Sequence, residues 1–278
     1  MAYELLVLDI DGTLTTSEKI ISDTTYRAIM AIQERGHKVV LASGRPTPGI
    51  LPLAKQLKLD EYGGYILSFN GAKIINCQTG EVIYQKTLPD GVLPKLYQAA
   101  LEYQVGILSY EDDSIIAGTD IDYYIKKEAD INHIPCRKVE NFPEYITWEV
   151  NKCIMTADGD YLVTVEEKMK KRFGNILSIY RSEPFFLEIM PHNVDKADSL
   201  GKLLDYLGLS REQMISCGDG YNDLTMIQYA GMGVAMANAR DIVKKHADYI
   251  TLSNDEDGVA HIIDKFMLSP ISGDSRTF

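Results

Sequence analysis

The sequence is poor in cysteine. Its four cysteines are scattered, with no Cys-x-x-Cys pair and no Cys/His pairing at the spacing of zinc ligands. This excludes a disulfide framework and the usual structural zinc modules, and it predicts reduced thiols. Cys217 closes an apolar run (214–217), so we expect a buried small side chain there rather than a nucleophile. The four are Cys77, Cys136, Cys153 and Cys217.

Positive charge is also scarce: 28 Lys and Arg stand against 40 Asp and Glu, a formal net charge of -12. Nucleic acids and anionic membranes are bound through clustered Lys and Arg, so we expect neither as a partner. No apolar stretch approaches the roughly 20 residues that a membrane-spanning helix needs. The first four residues lack the basic region of a signal peptide. These observations predict a soluble, cytoplasmic protein.

What the sequence does contain is alternating strand and helix patterns. The apolar run Leu5–Leu8 precedes a helix capped by Ser22 and ended by Gly36, and a second apolar run, Lys38–Ala42, follows. A right-handed crossover makes these two strands parallel. The same alternation returns from Asp195 onward. Between the two regions, antiparallel strand and helix patterns are mixed.

With 278 residues, of which 45% are hydrophobic, the chain is long enough for two domains. We therefore predict an α/β fold with a Rossmann-like parallel-sheet core and an inserted α+β cap domain. The core comprises residues 1–82 and 187–268, and the cap comprises residues 83–186. Residues 269–278 show no periodicity and are predicted to form a poorly ordered tail.

Two carboxylates, Asp9 and Asp11, follow the first strand at the turn Gly12-Thr13. In open α/β sheets, ligands bind outside the carboxyl ends of the strands, where this pair falls. Neighbouring carboxylates resist ionising together unless a cation separates them, and Mg²⁺ accepts carboxylate and phosphate oxygens. Taken alone, Asp-x-Asp-Gly is as often an ordinary turn.

Three further motifs fall at the same predicted edge. Ser43-Gly44-Arg45 follows the second strand and can hold phosphate oxygens through a hydroxyl and backbone N–H groups. The segment 218–223, Gly-Asp-Gly-Tyr-Asn-Asp, follows a later apolar strand, and Lys196 begins the helix after the insert. A lone lysine on a helix is usually a solvated surface charge, so its significance comes from these neighbours.

Together, in order and context, these motifs resemble the four motifs of the haloacid dehalogenase-like (HAD) superfamily. More narrowly, the chain resembles a Cof-type phosphatase with a type IIB cap. The resemblance extends to about residue 267. It implies a Mg²⁺-dependent phosphatase, a phosphoric monoester hydrolase that acts on small phosphate monoesters such as sugar phosphates or related metabolites.

The resemblance also implies a role for each motif residue. Asp9 would be the nucleophile that forms an aspartyl-phosphate. Asp11 would be the general acid and base, with its backbone carbonyl on the metal. Asp9 and Asp219 would supply carboxylates to Mg²⁺, and Asp223 would orient a metal-bound water or Lys196. The groups around the transferring phosphoryl oxygens would be Gly12, Ser43, Gly44, Lys196 and Asn222, with Arg45 either touching substrate or cap or forming an ion pair.

Around the lysine the chain reads Asn193-Val194-Asp195-Lys196-Ala197, where many relatives read Gly-Val-Ser-Lys-Gly. Asn tolerates left-handed backbone geometry nearly as Gly does, and Asp195 can cap the helix, so we expect the turn to be preserved.

Two other functions stay open at this point. A phosphomutase shares the Asp11 acid and base but needs a cap that holds an intermediate while it reorients. A catalytically silent binding protein would keep the fold alone, and the intact motif carboxylates argue against it. The sequence does not determine the natural substrate, the pathway or the oligomeric state. Nor does it determine which cap residues set specificity, or whether His192 or Arg45 contacts substrate.

Overall fold

The structure is a computed structural model that describes residues 3–268. The strands of this region are β1 (Leu5–Leu8), β2 (Lys38–Ala42), β3 (Tyr65–Ser68), β4 (Lys73–Asn76), β5 (Val82–Gln85), β6 (Gly106–Tyr110), β7 (Ile115–Ala117), β8 (Cys136–Lys138), β9 (Cys153–Thr156), β10 (Leu177–Glu183), β11 (Phe186–Pro191), β12 (Met214–Gly218), β13 (Met232–Ala235) and β14 (Tyr249–Ile250). The α-helices are α1 (Asp23–Glu34), α2 (Thr47–Gln56), α3 (Leu59–Tyr62), α4 (Leu93–Glu102), α5 (Tyr123–Asn132), α6 (Phe142–Tyr145), α7 (Gly159–Phe173), α8 (Lys196–Leu207), α9 (Leu224–Tyr229), α10 (Asp241–His246) and α11 (Gly258–Ile263). None of the helices in this region has the length and apolar character required to cross a membrane.

The larger sheet has eight strands in the order β14-β13-β12-β1-β2-β3-β4-β5. The pairs from β14 to β3 are parallel, and β4 and β5 add an antiparallel edge. All four residues of β1 are buried, as expected for a central strand covered by helices on both faces. The predicted β-α-β unit is present. Its strands β1 and β2 pair in parallel, with Leu5 opposite Lys38. Ser22 caps the helix α1 between them, because its side chain accepts a hydrogen bond from the Thr25 N–H.

The smaller sheet has six strands in the order β10-β11-β9-β6-β7-β8. Alternate residues of its strands point to opposite faces. One face packs under α4 and α7. The other face contacts α5. It also contacts Phe69 and Ala72, which lie between β3 and β4 of the larger sheet. The cap sheet therefore turns one layer of side chains towards the core. The two sheets confirm the predicted fold class, an α/β core with a parallel sheet and an inserted α+β cap.

The two sheets also locate the domain boundaries more closely. Val82–Gln85 pairs in the larger sheet, and Phe186–Pro191 pairs in the smaller one. We therefore propose that both boundaries lie a few residues after the predicted positions 83 and 186. The predicted tail, residues 269–278, lies outside the described residues.

Two short cap elements, β8 and α6, are absent from the sequence prediction. β8 is a three-residue edge strand whose Arg137 and Lys138 are exposed, so it carries no apolar pattern. It is held by parallel pairing to β7, a contact between distant segments that periodicity cannot reveal.

The burial of the thiols gives a first prediction. Cys153 and Cys217 are fully buried, and burial raises the pKa of each to about 12, whereas Cys136 is partly exposed. In native protein at about pH 8, dithionitrobenzoate should label Cys136 readily and leave Cys153 and Cys217 unmodified until denaturant is added. A Cys136→Ser variant should lose the fast phase, and rapid native labelling of Cys217 would contradict the packing described here.

Candidate active site

The predicted motif residues meet at one edge of the larger sheet. Asp9, Ser43 and Asp219 each directly follow a strand, and those strands, β1, β2 and β12, are neighbours. Their carboxyl ends open into a cavity of about 770 Å³ between core and cap. The cavity wall includes Asp9, Asp11, Lys19, Ser43, Gly44, Arg45, Asp219, Asn222 and Asp223 from the core, and Asp130, Asn132, His133, Ser182 and Glu183 from the cap.

A buried cluster of three charges lies at the base of this cavity. The Lys196 Nζ donates to Asp9 Oδ1 at 2.8 Å, to Asp223 Oδ1 at 2.6 Å and to the Ala42 carbonyl at 2.7 Å. Lys196 is only 1% exposed. Burial opposes its charge, but Asp223 and Asp9 outweigh burial, so the pKa of Lys196 is raised. The lysine is thus a permanent cation, and it is not the solvated surface charge that its helix position alone suggested.

Asp9 has the most perturbed environment of the motif carboxylates. Burial, then the nearby charge of Asp223, raises the pKa of Asp9 to about 8 in spite of Lys196. A second cation near Asp9 would favour its ionised form, which is the form that can attack an electrophile.

Asp223 connects Lys196 to the loop that follows β12. Its Oδ2 accepts hydrogen bonds from the backbone N–H groups of Asp219 at 3.0 Å and Gly220 at 2.8 Å, while its Oδ1 holds Lys196. Because both oxygens are already bonded, Asp223 is placed to fix the lysine and the 219–220 loop. This is the arrangement expected of an orienting residue.

Three carboxylates, those of Asp9, Asp219 and Asp223, bring oxygens within 4.8 Å of one another, a spacing that could hold a metal ion. Burial, followed by the charge of Asp223, raises the pKa of Asp219 to about 6, because both disfavour its ionised form. Thr13 Oγ1 donates to Asp219 Oδ1 at 3.1 Å. Hard oxygen donors in this number fit Mg²⁺. The predicted contribution of the Asp11 backbone carbonyl stays a prediction.

The Asp11 side chain points to different partners. Arg45 Nε donates to Asp11 Oδ2 at 2.8 Å and its Nη2 donates to Oδ1 at 2.7 Å, while Lys19 Nζ donates to Oδ1 at 2.9 Å. Burial works to raise the pKa of Asp11, but the hydrogen bonds and charges of Arg45 and Lys19 outweigh it and lower that pKa. Of the two roles left open for Arg45, the ion pair is the one present in this structure.

The remaining phosphate-binding candidates lie around the same opening. Ser43 is buried, and its Oγ accepts from the Arg45 N–H at 3.2 Å. Asn222 donates to the Asn70 side chain at 3.0 Å. Gly12 has a φ of 84°, and a Cβ built on it would lie 2.6 Å from Asp219 Oδ2. Glycine is therefore required there both by backbone geometry and by the close approach of Asp219.

The turn that leads to Lys196 has the predicted form. Asn193 has a φ of 55°, in the left-handed region. Asp195 is the N-cap of α8 and accepts from the N–H groups of Ala197 and Asp198. The acid beside the lysine is therefore occupied as a cap and does not compete for the ammonium.

Several residues at the site carry no individual sequence signal. Lys19 and Thr13 sit in ordinary turn sequence, and Asn70 is visible only as part of an Asn-Gly turn. The cap wall depends on how α5 and β10 face the core, which local patterns do not encode.

Three polar residues that could have faced the substrate do not line the cavity. His192 is one of them. The other two, Glu111 and Arg181, form ion pairs in the cap, Glu111 with Arg137 and Arg181 with Glu166.

The family model for haloacid dehalogenase-like hydrolases matches residues 6–263. The chain belongs to this family. A haloacid dehalogenase-like hydrolase from Bacteroides thetaiotaomicron has a similar crystal structure, with 49% identity and a TM-score of 0.92 over 94% of this chain and 98% of that one. The resemblance inferred from the motifs is therefore confirmed.

Two other family members bear on activity. A HAD subclass IIB sugar phosphatase is 27% identical with a TM-score of 0.78, and the match covers 96% of this chain and 100% of that one. The 5-amino-6-(5-phospho-D-ribitylamino)uracil phosphatase YcsE of Bacillus subtilis is 31% identical over 268 residues, covering 95% of this chain and 96% of its own length. Together with the family match, they confirm the predicted enzyme class, a phosphoric monoester hydrolase.

The close approach at Gly12 gives a prediction with a matched control. Gly12→Ala places a Cβ against Asp219 and strains a backbone with positive φ, so we expect weaker Mg²⁺ binding, a higher Mg²⁺ concentration for half-maximal activity, and a loss of activity of about tenfold or more. Gly36 has a comparable φ of 91°, but a Cβ built there would meet nothing within 4 Å. Gly36→Ala should therefore cost about 1–2 kcal/mol of stability from strain alone and leave activity intact.

Steady-state kinetics against Mg²⁺ concentration, together with thermal unfolding, separate these two effects. Equal activity losses in both glycine variants would show that strain, and not displacement of Asp219, is responsible.

Proposed function

We propose that this HAD-family phosphatase hydrolyses small phosphate monoesters in two steps, with Asp9 as the nucleophile and Mg²⁺ as the cofactor. The observation that carries the proposal is the buried contact of Asp9 with Lys196 beside Asp219, at the carboxyl end of the central strand. This arrangement supports the proposal, because phosphoryl transfer by this route needs a carboxylate, a fixed cation and a further acidic group close together.

In the first step, an Asp9 carboxylate oxygen attacks phosphorus and the bond from phosphorus to the leaving alcohol oxygen breaks. The alcohol oxygen takes a proton from Asp11, which is left as a carboxylate. In the second step, Asp11 removes a proton from water as the water attacks phosphorus. The bond between phosphorus and Asp9 then breaks and releases inorganic phosphate.

Mg²⁺, held by Asp9, Asp219 and the Asp11 backbone carbonyl, would supply the positive charge that draws the phosphate oxygens to an acidic site. The protein's own groups do the rest. Lys196 would stabilise negative charge on the transferring group, while Asp223 keeps Lys196 in place. Ser43, Gly12, Gly44 and Asn222 would donate to the remaining oxygens.

Asp11 must change partners to act as an acid, because in this structure Arg45 and Lys19 hold it as a carboxylate. An arriving phosphate monoester is an alternative partner for both cations. We propose that substrate draws Arg45 and Lys19 away, which frees Asp11 to take up the proton that it donates.

The cap wall supports a hydroxyl-rich, uncharged leaving group. Its carboxylates, Asp130 and Glu183, accept hydrogen bonds and repel anions, and Ser182 and Asn132 add further polar groups. The sugar and ribityl phosphates named for the two family members above are hydroxyl-rich as well. We therefore propose sugar phosphates or related polyol phosphates as the substrate class.

The phosphomutase alternative has no specific residue in its favour among those described, and the silent binding protein is disfavoured by the enzyme class. The predicted absence of nucleic-acid and membrane partners and the cytoplasmic location stay predictions from the sequence.

Replacing the nucleophile tests the chemistry directly. Asp9→Asn should lower kcat by roughly 10³-fold or more, because an amide cannot form the phosphoenzyme. Chelation of divalent ions should abolish turnover by the wild type, and added Mg²⁺ should restore it. Asp198→Asn, which changes an exposed carboxylate on the first turn of α8, is the matched control and should retain full activity. Full speed in Asp9→Asn with a native circular dichroism spectrum would refute the mechanism.

The substrate class is tested with a panel of phosphate esters. Hexose and pentitol monophosphates should exceed phosphoglycolate, phosphoglycerate and sugar bisphosphates in kcat/KM by about tenfold, equivalent to about 1.4 kcal/mol. The double variant Asp130→Asn, Glu183→Gln should reduce that ratio, because it removes the repelling charges. Asp113→Asn, an exposed cap acid outside the cavity wall, should leave the ratio unchanged. A preference for the esters with anionic leaving groups would contradict the proposed class.

A further inference from the structure

A buried group of polar side chains lies on the core-facing side of the cap sheet, outside the catalytic cluster. Lys152 is 3% exposed and Glu188 is 7% exposed, and Tyr180 is partly buried beside them. The same layer contains the apolar residues Phe69, Leu108, Tyr110, Ile154, Phe186 and Met190. Charges in such surroundings are costly unless they are paired, and a buried ion pair adds little net stability compared with apolar residues.

Glu188 contacts both Tyr180 and Lys152. It lies directly opposite Tyr180 in the pairing of β10 with β11. Its Oε2 accepts from the Tyr180 hydroxyl at 3.2 Å, and its Oε1 lies 3.4 Å from Lys152 Nζ. One carboxylate therefore fixes two long side chains, one with each oxygen.

The first of these side chains reaches the Ser43 loop. Lys152 Nζ donates to the Gly44 carbonyl at 3.3 Å. The N–H of the same peptide unit, which belongs to Arg45, donates to Ser43 Oγ at 3.2 Å. Hydrogen bonds in such a chain polarise one another, so Lys152 orients the peptide that in turn orients the Ser43 hydroxyl.

The second side chain reaches Asn222. Asn70 Nδ2 donates to the Tyr180 hydroxyl at 3.3 Å, and Asn70 Oδ1 accepts from Asn222 Nδ2 at 3.0 Å. Burial, together with Glu188, raises the pKa of Tyr180, so its hydroxyl keeps the proton that it donates. The position of the Asn222 amide is thereby linked to the cap through Asn70.

We propose that Glu188, Lys152 and Tyr180 are positioning residues for the phosphate site. Glu188 holds Lys152 against the Gly44 carbonyl and Tyr180 against Asn70, and so sets the Ser43 hydroxyl and the Asn222 amide when the cap is seated on the core. The inference rests on the proposed function, because it assigns these two groups to phosphate. It makes affinity for phosphate depend on residues that never touch it.

Affinity for inorganic phosphate, measured by calorimetry in the presence of Mg²⁺, tests the proposal without requiring turnover. Tyr180→Phe and Lys152→Met should each raise the Kd for inorganic phosphate by about three- to tenfold, the effect of losing one hydrogen bond. Tyr110→Phe is the matched control: its hydroxyl is buried in the same layer but donates to Glu128, also in the cap, at 2.5 Å. It should lower thermal stability and leave the Kd within twofold of wild type.

Coupling between variants separates positioning from a purely structural role. In an Asn222→Ala background, Tyr180→Phe should raise the Kd little further, because its effect passes through Asn222. Lys152→Met should still have its full effect in that background, because it acts through Ser43. Glu188→Gln should weaken phosphate binding through both routes.

The proposal is overturned if Tyr180→Phe and Lys152→Met change only the unfolding temperature, as Tyr110→Phe does, or if Tyr180→Phe and Asn222→Ala are fully additive. A wild-type protein that binds phosphate but hydrolyses no ester would refute the proposed function alone, and the affinity comparison would still decide the role of Glu188. A wild type that does not bind phosphate would refute both.

Discussion

The arrangement of the site depends on the burial of one ammonium group. Lys196 has three N–H donors, and each has an acceptor: Asp9, Asp223 and the Ala42 carbonyl. These acceptors belong to the ends of β1 and β2 and to the loop after β12, while the lysine itself begins α8. A buried charge that loses a partner costs about 3–5 kcal/mol, so the cluster locks four chain segments in one geometry. Asp9, the proposed nucleophile, is consequently held at the point where these four segments meet.

The acid and base candidate is held in a different way. Asp11 pairs with the largely exposed Lys19, a contact that can rearrange at low cost. It also pairs with the more buried Arg45, which holds both Asp11 oxygens and which an incoming phosphate would have to draw away. In the proposed mechanism, Asp9 must stay in line with phosphorus through both steps, whereas Asp11 must serve first the leaving alcohol and then a water molecule. A rigid nucleophile beside an adaptable proton donor fits these two requirements.

The sequence predicted those site residues whose positions depend on local structure. Asp9, Ser43 and Asp219 could be placed at one edge because each ends an apolar strand, and parallel strands share a carboxyl edge. Asp195 as a cap could be read from a few neighbouring residues. By contrast, Asn132 and Glu183 reach the cavity only because the cap docks against the core. The path from Glu188 to the phosphate site depends on strand register and on two contacts between segments more than 100 residues apart, Lys152 with Gly44 and Tyr180 with Asn70. Neither leaves a pattern in a single sequence.

The charge of the site also explains how an acidic protein can attract an anionic substrate. On the core side, four carboxylates, those of Asp9, Asp11, Asp219 and Asp223, face three cations: Lys19, Arg45 and Lys196. With all four carboxylates ionised, the balance is one negative charge, which would repel a phosphate ester; burial raises the pKa of Asp9 to about 8, so near neutral pH and without a further cation Asp9 keeps its proton. A bound divalent ion would favour the ionised form of Asp9 and would change the balance of the four ionised carboxylates and three cations to one positive charge. In the proposed mechanism the metal would therefore ionise Asp9 and attract the phosphate at one point, while the surrounding surface stays acidic.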